Sequence, residues 1–296
     1  MKSNKTLIGV SCLTVTNIFW GLTDILVAYL ARGQLTTWVH SFLGAIFLLS
    51  FLYVLKIKFN YKEFLSAFPI GFHRAVNWSV LFYAFGQANP AISIAILSFS
   101  GVFAIVFYSK FIDDKPDGVI YLLASIGVIG VILISVDDFQ NITFNKGAVI
   151  ALIILPISAA GTLVLRRVQI RVPANKSGLY TFIWASLLLF PTLFFVDVKF
   201  AITGREFYIF VLLAVLASLG HLLYGISQTH TSYSSNILIA NIHTPFTAIF
   251  AFFILRQTLT YFQLLGIGIT IIIVTSAAFY EQKYKNVDLL TSNDDI

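Results

Sequence analysis

Long apolar runs alternate with short polar breaks along the chain, and this pattern predicts a bundle of membrane-spanning helices. A helix needs about 20 apolar residues to cross roughly 30 Å of hydrocarbon. The breaks, such as 56–62 and 166–176, are too short to form a soluble domain. Ten runs have a suitable length, at 6–31, 38–55, 67–87, 91–110, 118–136, 147–166, 178–196, 207–227, 234–255 and 262–280.

The composition supports a membrane protein and excludes most soluble classes. Of the 296 residues, 58% are hydrophobic and 11% are charged, whereas a soluble domain carries about 25% charged residues. The same figures exclude a disordered chain, and the single cysteine excludes a disulfide scaffold. The net charge of +6 comes from short loops between apolar runs. A lipid bilayer therefore explains the basic residues better than nucleic acid does, and no nucleic-acid partner is expected.

The distribution of Lys and Arg predicts how the bundle is oriented. Ten spans place both termini on one side, and 13 of the 19 Lys and Arg residues fall on that side, against five on the other. Because positively charged loops remain in the cytoplasm, we expect both termini to be cytoplasmic in a multi-pass protein of the bacterial inner (plasma) membrane. The N-terminal run follows Lys2 and Lys5 but has no small-residue cleavage site, so it is interpreted as an uncleaved first span.

A weak internal repeat indicates two halves of five spans each. The segment Tyr83–Gln87 (YAFGQ) recurs as Tyr224–Gln228 (YGISQ), 141 positions later, and Ala95–Leu97 aligns with Asn236–Leu238 at the same offset. Because five is an odd number of spans, the second half must be inverted in the membrane. Inverted repeats are typical of secondary transporters, which bind solute near the midplane between the repeats.

Short motifs in four of the spans resemble those of a known transporter family. They are Phe19-Trp20-Gly21 in the first span, the Tyr and Gln of the third span in each half, and Asn-Ile-Leu before Thr244–Thr247 (TPFT). Together they resemble the EamA-like branch of the drug/metabolite transporter superfamily over about residues 6–280. The family places a Glu-Arg pair after the fourth span of each half. Here those positions hold Asp114-Lys115 and Gln257-Thr258, so no coupling role is assigned to them.

The resemblance implies a basket of helices whose central cavity is lined by the first, third and fourth helices of each half. We therefore expect an all-α membrane protein with ten transmembrane helices in two inverted five-helix repeats around a central cavity. The predicted halves are residues 1–137 and 146–281, followed by a cytoplasmic tail at 282–296. The oligomeric state is left open, with a homodimer as one option.

Two charged side chains fall inside predicted spans, where a charge at the bilayer centre costs at least about 2.5–3.5 kcal/mol. Asp24 would carry a coupling proton, or it would be an ordinary polar residue near the outer interface. Counting from Thr6 places Asp24 about 27 Å from the cytoplasmic edge, which favours the interface. Arg74 lies about 10 Å from that edge by the same count. It would bind a solute carboxylate or phosphate, extend to the interface, or cap backbone carbonyls. The difference in height predicts no direct pair with Asp24.

Histidines at similar predicted depth extend the site around Arg74. Counting along their spans puts His221 and His243 about 10 and 14 Å above the cytoplasmic edge. A patch of Arg74, His221, Asn241 and His243 would be electropositive and would suit an anionic or zwitterionic solute. The alternative for each histidine is a bond to a neighbouring group. His73 and Arg74 are about 100° apart on a helix, so only one of them is expected to face the cavity.

Aromatic and amide side chains form a second set that would cover the body of an organic solute. The alternative for the whole set is aromatic packing or an interfacial belt. Asn77 and Trp78 point in different directions, so we expect one of them to face lipid or another helix. Pro245 would open its helix at the cavity or only bend it for packing. The set consists of Asn17, Trp20, Asn77, Trp78, Tyr83 and Tyr224.

The sequence thus predicts a secondary transporter that moves a small polar organic metabolite, an amino acid or a related compound, by alternating access in the direction of export. No phosphate-binding loop, HExxH, Cys/His cluster or nucleophile elbow is present in the sequence, so neither catalysis nor a metal or other cofactor is predicted. Asp24 is the proton-coupling candidate. The candidate substrate-binding residues are Trp20, Arg74, Asn77, Trp78, Tyr83, His221, Tyr224, Asn241 and His243.

Three alternatives remain open at this point. The nearest keeps the fold and exchanges a nucleotide-like or sulfonium metabolite. A passive channel is disfavoured because the sequence has no rings of charge or repeated filter segment. An intramembrane enzyme would need a catalytic partner for Asp24 at the same depth, and the depth estimates provide none.

Overall fold

The regular structure is helical throughout the described part of the chain. The computed structural model describes residues 2–30, 33–87, 100–101, 103–108, 111, 116–135, 146–195, 201–256 and 258–284. Within those ranges the secondary structure contains helices and turns but no strand. Most of the predicted fourth span at 91–110, the Asp114-Lys115 pair and most of the predicted tail at 282–296 lie outside the described residues.

The helices follow the apolar runs of the sequence closely. A π-helical turn at Ala104–Tyr108 and a 3-10 turn at Phe190–Phe194 lie between α-helices. The α-helices are α1 Lys2–Leu30, α2 Gly33–Val54, α3 Tyr61–Ser66, α4 Phe68–Gln87, α5 Gly118–Ser135, α6 Lys146–Gln169, α7 Ala174–Leu189, α8 Gly204–Gln228, α9 Tyr233–Ala240, α10 His243–Leu255 and α11 Tyr261–Tyr284.

Six stretches of the described residues are long and apolar enough to cross a membrane, which makes the chain a multi-pass membrane protein. Helix α5 adds a shorter apolar stretch at Gly118–Gly130, and α4 coincides with the predicted third span. The predicted total of ten spans stays a prediction. The six stretches are Lys5–Leu30, Gly33–Val54, Ala174–Phe194, Gly204–Gln228, Tyr233–Leu255 and Tyr261–Tyr280.

The contacts between helices repeat when the two halves of the chain are exchanged. In this exchange α1, α2, α4 and α5 correspond to α6, α7, α8 and α11. The pair α1–α8 then becomes α6–α4, and α2–α8 becomes α7–α4; all four pairs are in contact. The pairs α2–α7 and α5–α11 map onto themselves and are also in contact. Two structurally related halves produce this pattern.

The predicted ninth span is not one continuous helix but two, α9 and α10, separated at Asn241–Ile242. Pro245 is the physical cause, because it has no N–H to donate to the carbonyl of Asn241 four residues earlier. That carbonyl instead accepts from the Thr244 N–H at 3.3 Å. Pro245 itself lies in the first turn of α10, where a missing donor costs no helical bond. The ninth span therefore opens at Asn241, four residues before Pro245, the residue that the sequence indicated.

Glycines allow close approach where helices of the two halves meet. A Cβ added at Gly71 of α4 would clash with Cβ of Trp184 on α7, and one at Gly44 of α2 would lie 2.5 Å from the Phe182 ring. Van der Waals packing through small residues is a main source of helix association in a bilayer, where no hydrophobic force acts between helices. These two contacts hold α7 against α2 and α4.

We predict that Gly71→Ala destabilises the protein, because the new methyl group must displace the Trp184 backbone or α4. Overpacking of this kind costs about 1–3 kcal/mol, and it should lower the melting temperature of the protein in detergent. Gly268→Ala is the matched control, since an added Cβ at that position meets no atom within 4 Å. Equal melting temperatures for the two variants would contradict the packing described.

Candidate binding cavity

A cavity of about 200 Å³ lies between helices of both halves. Its volume is below the roughly 300–1,000 Å³ of pockets for drug-sized ligands, so it suits a small solute. Helices α1, α2, α4, α6, α8, α9 and α10 contribute to its wall, together with residues near 100–104. The polar and aromatic residues described in the wall are Asn17, Trp20, Thr23, Asp24, His40, Arg74, Asn77, Trp78, Phe82, Ser100, Ser158, Thr162, His221, Tyr224, Asn241 and His243.

The structure brings all the predicted binding residues together in this wall except Tyr83. The side chain of Tyr83 is 42% exposed and lies outside the cavity. It is nine positions after Arg74, which places it about 180° around the helix from the cavity face. Tyr224, its partner in the sequence repeat, does line the cavity. The repeat therefore marks related helices, but it does not make the two tyrosines equivalent.

Arg74 presents to the cavity a cation that has no partner among the described residues. Within the described residues its side chain makes no hydrogen bond and no ion pair. Its neighbour His73 points away, with Nε2 at 2.7 Å from the carbonyl oxygen of Ile157 and its ring against Gly161. Only one of the two adjacent residues faces the cavity, as the helical angle predicts. His73 follows the alternative of bonding a neighbouring helix.

Asp24 of the first half has a partner in the second half, His243, which the depth estimates did not predict. His243 Nε2 of α10 lies 2.5 Å from Asp24 Oδ2, although the two groups are not aligned as a hydrogen bond. The Thr247 hydroxyl donates to the same oxygen at 3.3 Å. Asp24 is only 5% exposed.

The depth estimates for Asp24 and His243 differed by more than 10 Å because they counted residues along ideal spans. Such a count assumes a straight helix that starts at the membrane edge and runs perpendicular to it. Helix α1 begins at Lys2 rather than at Thr6, and the ninth span is broken at Asn241–Ile242. Small errors in start and direction therefore accumulated along each helix.

Aromatic rings form a continuous surface over part of the cavity wall. The Trp20 ring centroid lies 5.0 Å from those of His221 and Tyr224 and 6.0 Å from that of His243. The ring of Trp78, on α4, lies 5.2 Å from that of His221 between centroids. Indole and phenol rings give a rigid apolar face with polar edges, which suits the body of an organic solute.

Asn77 and Trp78 both line the cavity, and each also packs against another helix, which is one of the two alternatives expected for one of them. Ser158 of α6 donates to Asn77 Oδ1 at 2.5 Å, while the Trp78 ring packs against Phe182 of α7 at 5.2 Å. Helix α4 packs against both α6 and α7. Two adjacent side chains can therefore face different protein neighbours and still border one cavity.

Several lining residues were missed by sequence analysis, among them His40, Ser158 and Thr162. His40 comes from α2, a helix that the family resemblance did not place at the cavity, and its ring contacts Trp78 at 4.7 Å. Ser158 and Thr162 come from α6; the hydroxyl of Thr162 lies 2.6 Å from that of Tyr224. Small hydroxyl residues are common in apolar helices, so only the partners that they bind could have distinguished them.

Comparison with known proteins gives one family and one fold. A family model described as the EamA-like transporter family matches the chain twice, over residues 7–136 and 145–278. No curated protein matches the chain. Among solved structures, one titled "Crystal structure of protein" matches with a TM-score of 0.77 and 13% identity. The match covers 96% of this chain and 100% of that one, and at this identity it shows the shared fold alone.

We predict that Asp24 and His243 are energetically coupled. Asp24→Asn and His243→Gln should each lower stability in detergent, and the double variant should deviate from the sum of the two by about 0.5–3 kcal/mol. His230→Gln is the matched control, because its ring bonds only residues near its own helix end, Thr229 and Ile226. Additive effects of Asp24→Asn with both histidine variants would contradict the contact between Asp24 and His243.

Proposed function

Because the chain belongs to the EamA-like transporter family, as its motifs predict, we propose that it is a secondary transporter for a small polar organic metabolite with an acidic group. An amino acid or a related compound is the favoured cargo, and export is the favoured direction. The carrier works by alternating access, with the cavity as the binding site. The observation that carries the proposal is Arg74, a cation that faces the cavity without a counter-ion among the described residues.

A guanidinium inside a bilayer is costly unless an anion and hydrogen-bond acceptors surround it. A solute carboxylate would supply both, because it can accept two parallel N–H bonds from the planar fork of arginine. His221 and Asn241 border the same cavity and would supply further polar contacts. His243 would contribute less to solute binding than the sequence indicates, because it already contacts Asp24.

The size and chemistry of the cavity favour this cargo over the alternatives. A volume of about 200 Å³ is small for a nucleotide. A sulfonium metabolite would need an available carboxylate, and Asp24 is buried against His243. Trp20, Trp78 and Tyr224 would cover the apolar part of an amino-acid-sized solute.

The proposed topology follows from the two repeats. Residues 1–137 and 146–281 form two five-helix halves, inverted with respect to one another, and 282–296 form a tail. The excess of Lys and Arg on the side of the termini supports cytoplasmic termini in a bacterial inner membrane. Assembly as a homodimer stays a prediction.

We also propose that Asp24 takes up the coupling proton. It is the carboxylate of the cavity wall, and His243 and Thr247 are in contact with it. A carboxylate and an imidazole in contact can share one proton between them, and their combined charge then depends on whether that proton is bound.

Arg74→Gln is expected to weaken binding of the anionic solute by about tenfold or more, since it removes a charged partner from a buried pair. A thermal-shift screen of purified protein against amino acids, nucleotides and organic cations identifies the solute, because a ligand of the folded state raises the melting temperature. The same assay then compares variants. The matched control is Arg205→Ala, which removes an exposed arginine that lies over the Tyr29 ring. Unchanged binding in Arg74→Gln would remove Arg74 from the site.

Asp24→Asn is expected to uncouple solute flux from the proton gradient, because an amide cannot take up the proton. In proteoliposomes, wild-type flux should follow an imposed pH gradient, and flux through the variant should not. Solute binding should persist in the variant, since Arg74 is intact. Gradient-driven flux through Asp24→Asn at the wild-type level would exclude Asp24 as the coupling group.

A further inference from the structure

Polar contacts between α6 and α8 begin at the cavity wall and continue away from it. The hydroxyls of Thr162 and Tyr224 lie 2.6 Å apart and both residues line the cavity. One helical turn further along both helices, Arg166 Nε donates to Gln228 Oε1 at 2.9 Å. Each pair is separated by 62 positions in the sequence. The two helices therefore run in the same direction, and the contacts form successive rungs that lead away from the cavity.

These rungs lead towards the side of the membrane that holds the termini. The chain that follows Gln228 packs against the beginning of α1, where Gly9 lies against His230 and Thr231. A Cβ added at Gly9 would lie 2.7 Å from Cβ of His230 and 2.8 Å from Cγ2 of Thr231. A solute that leaves the cavity towards the termini has to pass this layer.

Helix α9 is held to this layer through the side-chain amide of Asn236. Gln228 Nε2 donates to Asn236 Oδ1 at 2.6 Å. The amide nitrogen of Asn236 donates in turn to the hydroxyls of Ser227 and Thr231, at 3.1 and 3.0 Å. Gln228 is 2% exposed and Asn236 is fully buried. Because the amide of Asn236 uses both its oxygen and its nitrogen, the closed arrangement leaves this group satisfied.

Helix α9 can move without α10 because the two are separate helices. The break at Asn241–Ile242 lies at the cavity and lacks the helical bond that Pro245 cannot donate. On the far side of the break, α10 is held to α1 through Asp24, which contacts His243 and Thr247. One half of the ninth span is thus anchored to α1, and the other half is anchored to Gln228.

From this geometry we propose that α9 is the gate on the side of the termini, hinged at Asn241–Ile242 and latched by the Gln228–Asn236 pair. Opening requires Asn236 to leave Gln228, so that α9 swings away and the cavity meets the solvent on that side. This inference rests on the proposed function, because only a carrier has to expose one site alternately to both sides.

The test measures access to the cavity from the side of the termini. The chain has a single cysteine, Cys12, so Cys12→Ser with Ser158→Cys gives one reporter thiol in the cavity wall. A membrane-impermeant thiol reagent is applied to that side of oriented vesicles. Gln228→Leu in this background removes both the bond to Asn236 and the bond from Arg166. It should raise the labelling rate at least about fivefold, which is the shift in open population expected from loss of one buried hydrogen bond.

Gln169→Leu is the matched control. Gln169 also joins α6 to α8 by a side-chain amide, which donates to the carbonyl of Gly225 at 2.9 Å, but it makes no bond to α9. Labelling in this variant should equal that of the background. Asn236→Leu removes the member of the latch that lies on α9. This variant replaces Gln228→Leu in the test if Gln228→Leu does not fold.

Unchanged labelling in both latch variants, or an equal rise in Gln169→Leu, would overturn the gate. The assay needs no solute, so its failure leaves the role of Arg74 standing. Conversely, loss of solute selectivity for anions would not change the labelling result.

Discussion

A charged group inside a bilayer has to be neutralised or hydrogen-bonded, and this constraint organises the polar part of the protein. Asp24 meets it through His243, and Arg166 meets it through Gln228 and the carbonyl of Thr231. Both arrangements join different helices, so each also holds the bundle together. Arg74 differs, because its guanidinium faces a cavity without a partner among the described residues. In the proposed function a solute anion offsets the cost of that arrangement, and solute binding then becomes part of the electrostatic balance of the bundle.

The fold class and most of the cavity wall could be predicted from the sequence because polar residues are rare in apolar helices and therefore informative. Arg74, His221 and His243 stood out for this reason. Depth could not be predicted, because a count along an ideal helix contains neither tilt nor breaks. The contact between Asp24 and His243 was missed as a result. Thr162 gave no signal in the sequence either, since its role depends on Tyr224, a residue 62 positions away.

The two halves share their helix contacts but divide the chemistry of the cavity unequally. The first half supplies the charged groups Asp24 and Arg74, whereas the second supplies His221 and His243. Tyr83 shows the same divergence, since it lies outside the cavity that its repeat partner lines. A pair of related halves can therefore preserve the geometry of a carrier while the binding site itself becomes asymmetric. Contacts between helix backbones constrain the shared geometry, whereas a few side chains determine the asymmetry of the binding site.

In the proposed carrier, Tyr224 connects the solute-binding site with the α9 gate. Its hydroxyl contacts that of Thr162 at the cavity wall, which is the first rung between α6 and α8, and its ring packs on Trp20 at 5.0 Å between centroids. A solute that pairs with Arg74 and rests on Trp20 occupies the same cavity as this rung. Any shift of Tyr224 passes along α8 to Gln228, which lies one turn further on and bonds Asn236. Occupancy of the cavity and the latch on α9 thus act on one rigid helix, so binding at one end can change the balance of hydrogen bonds at the other.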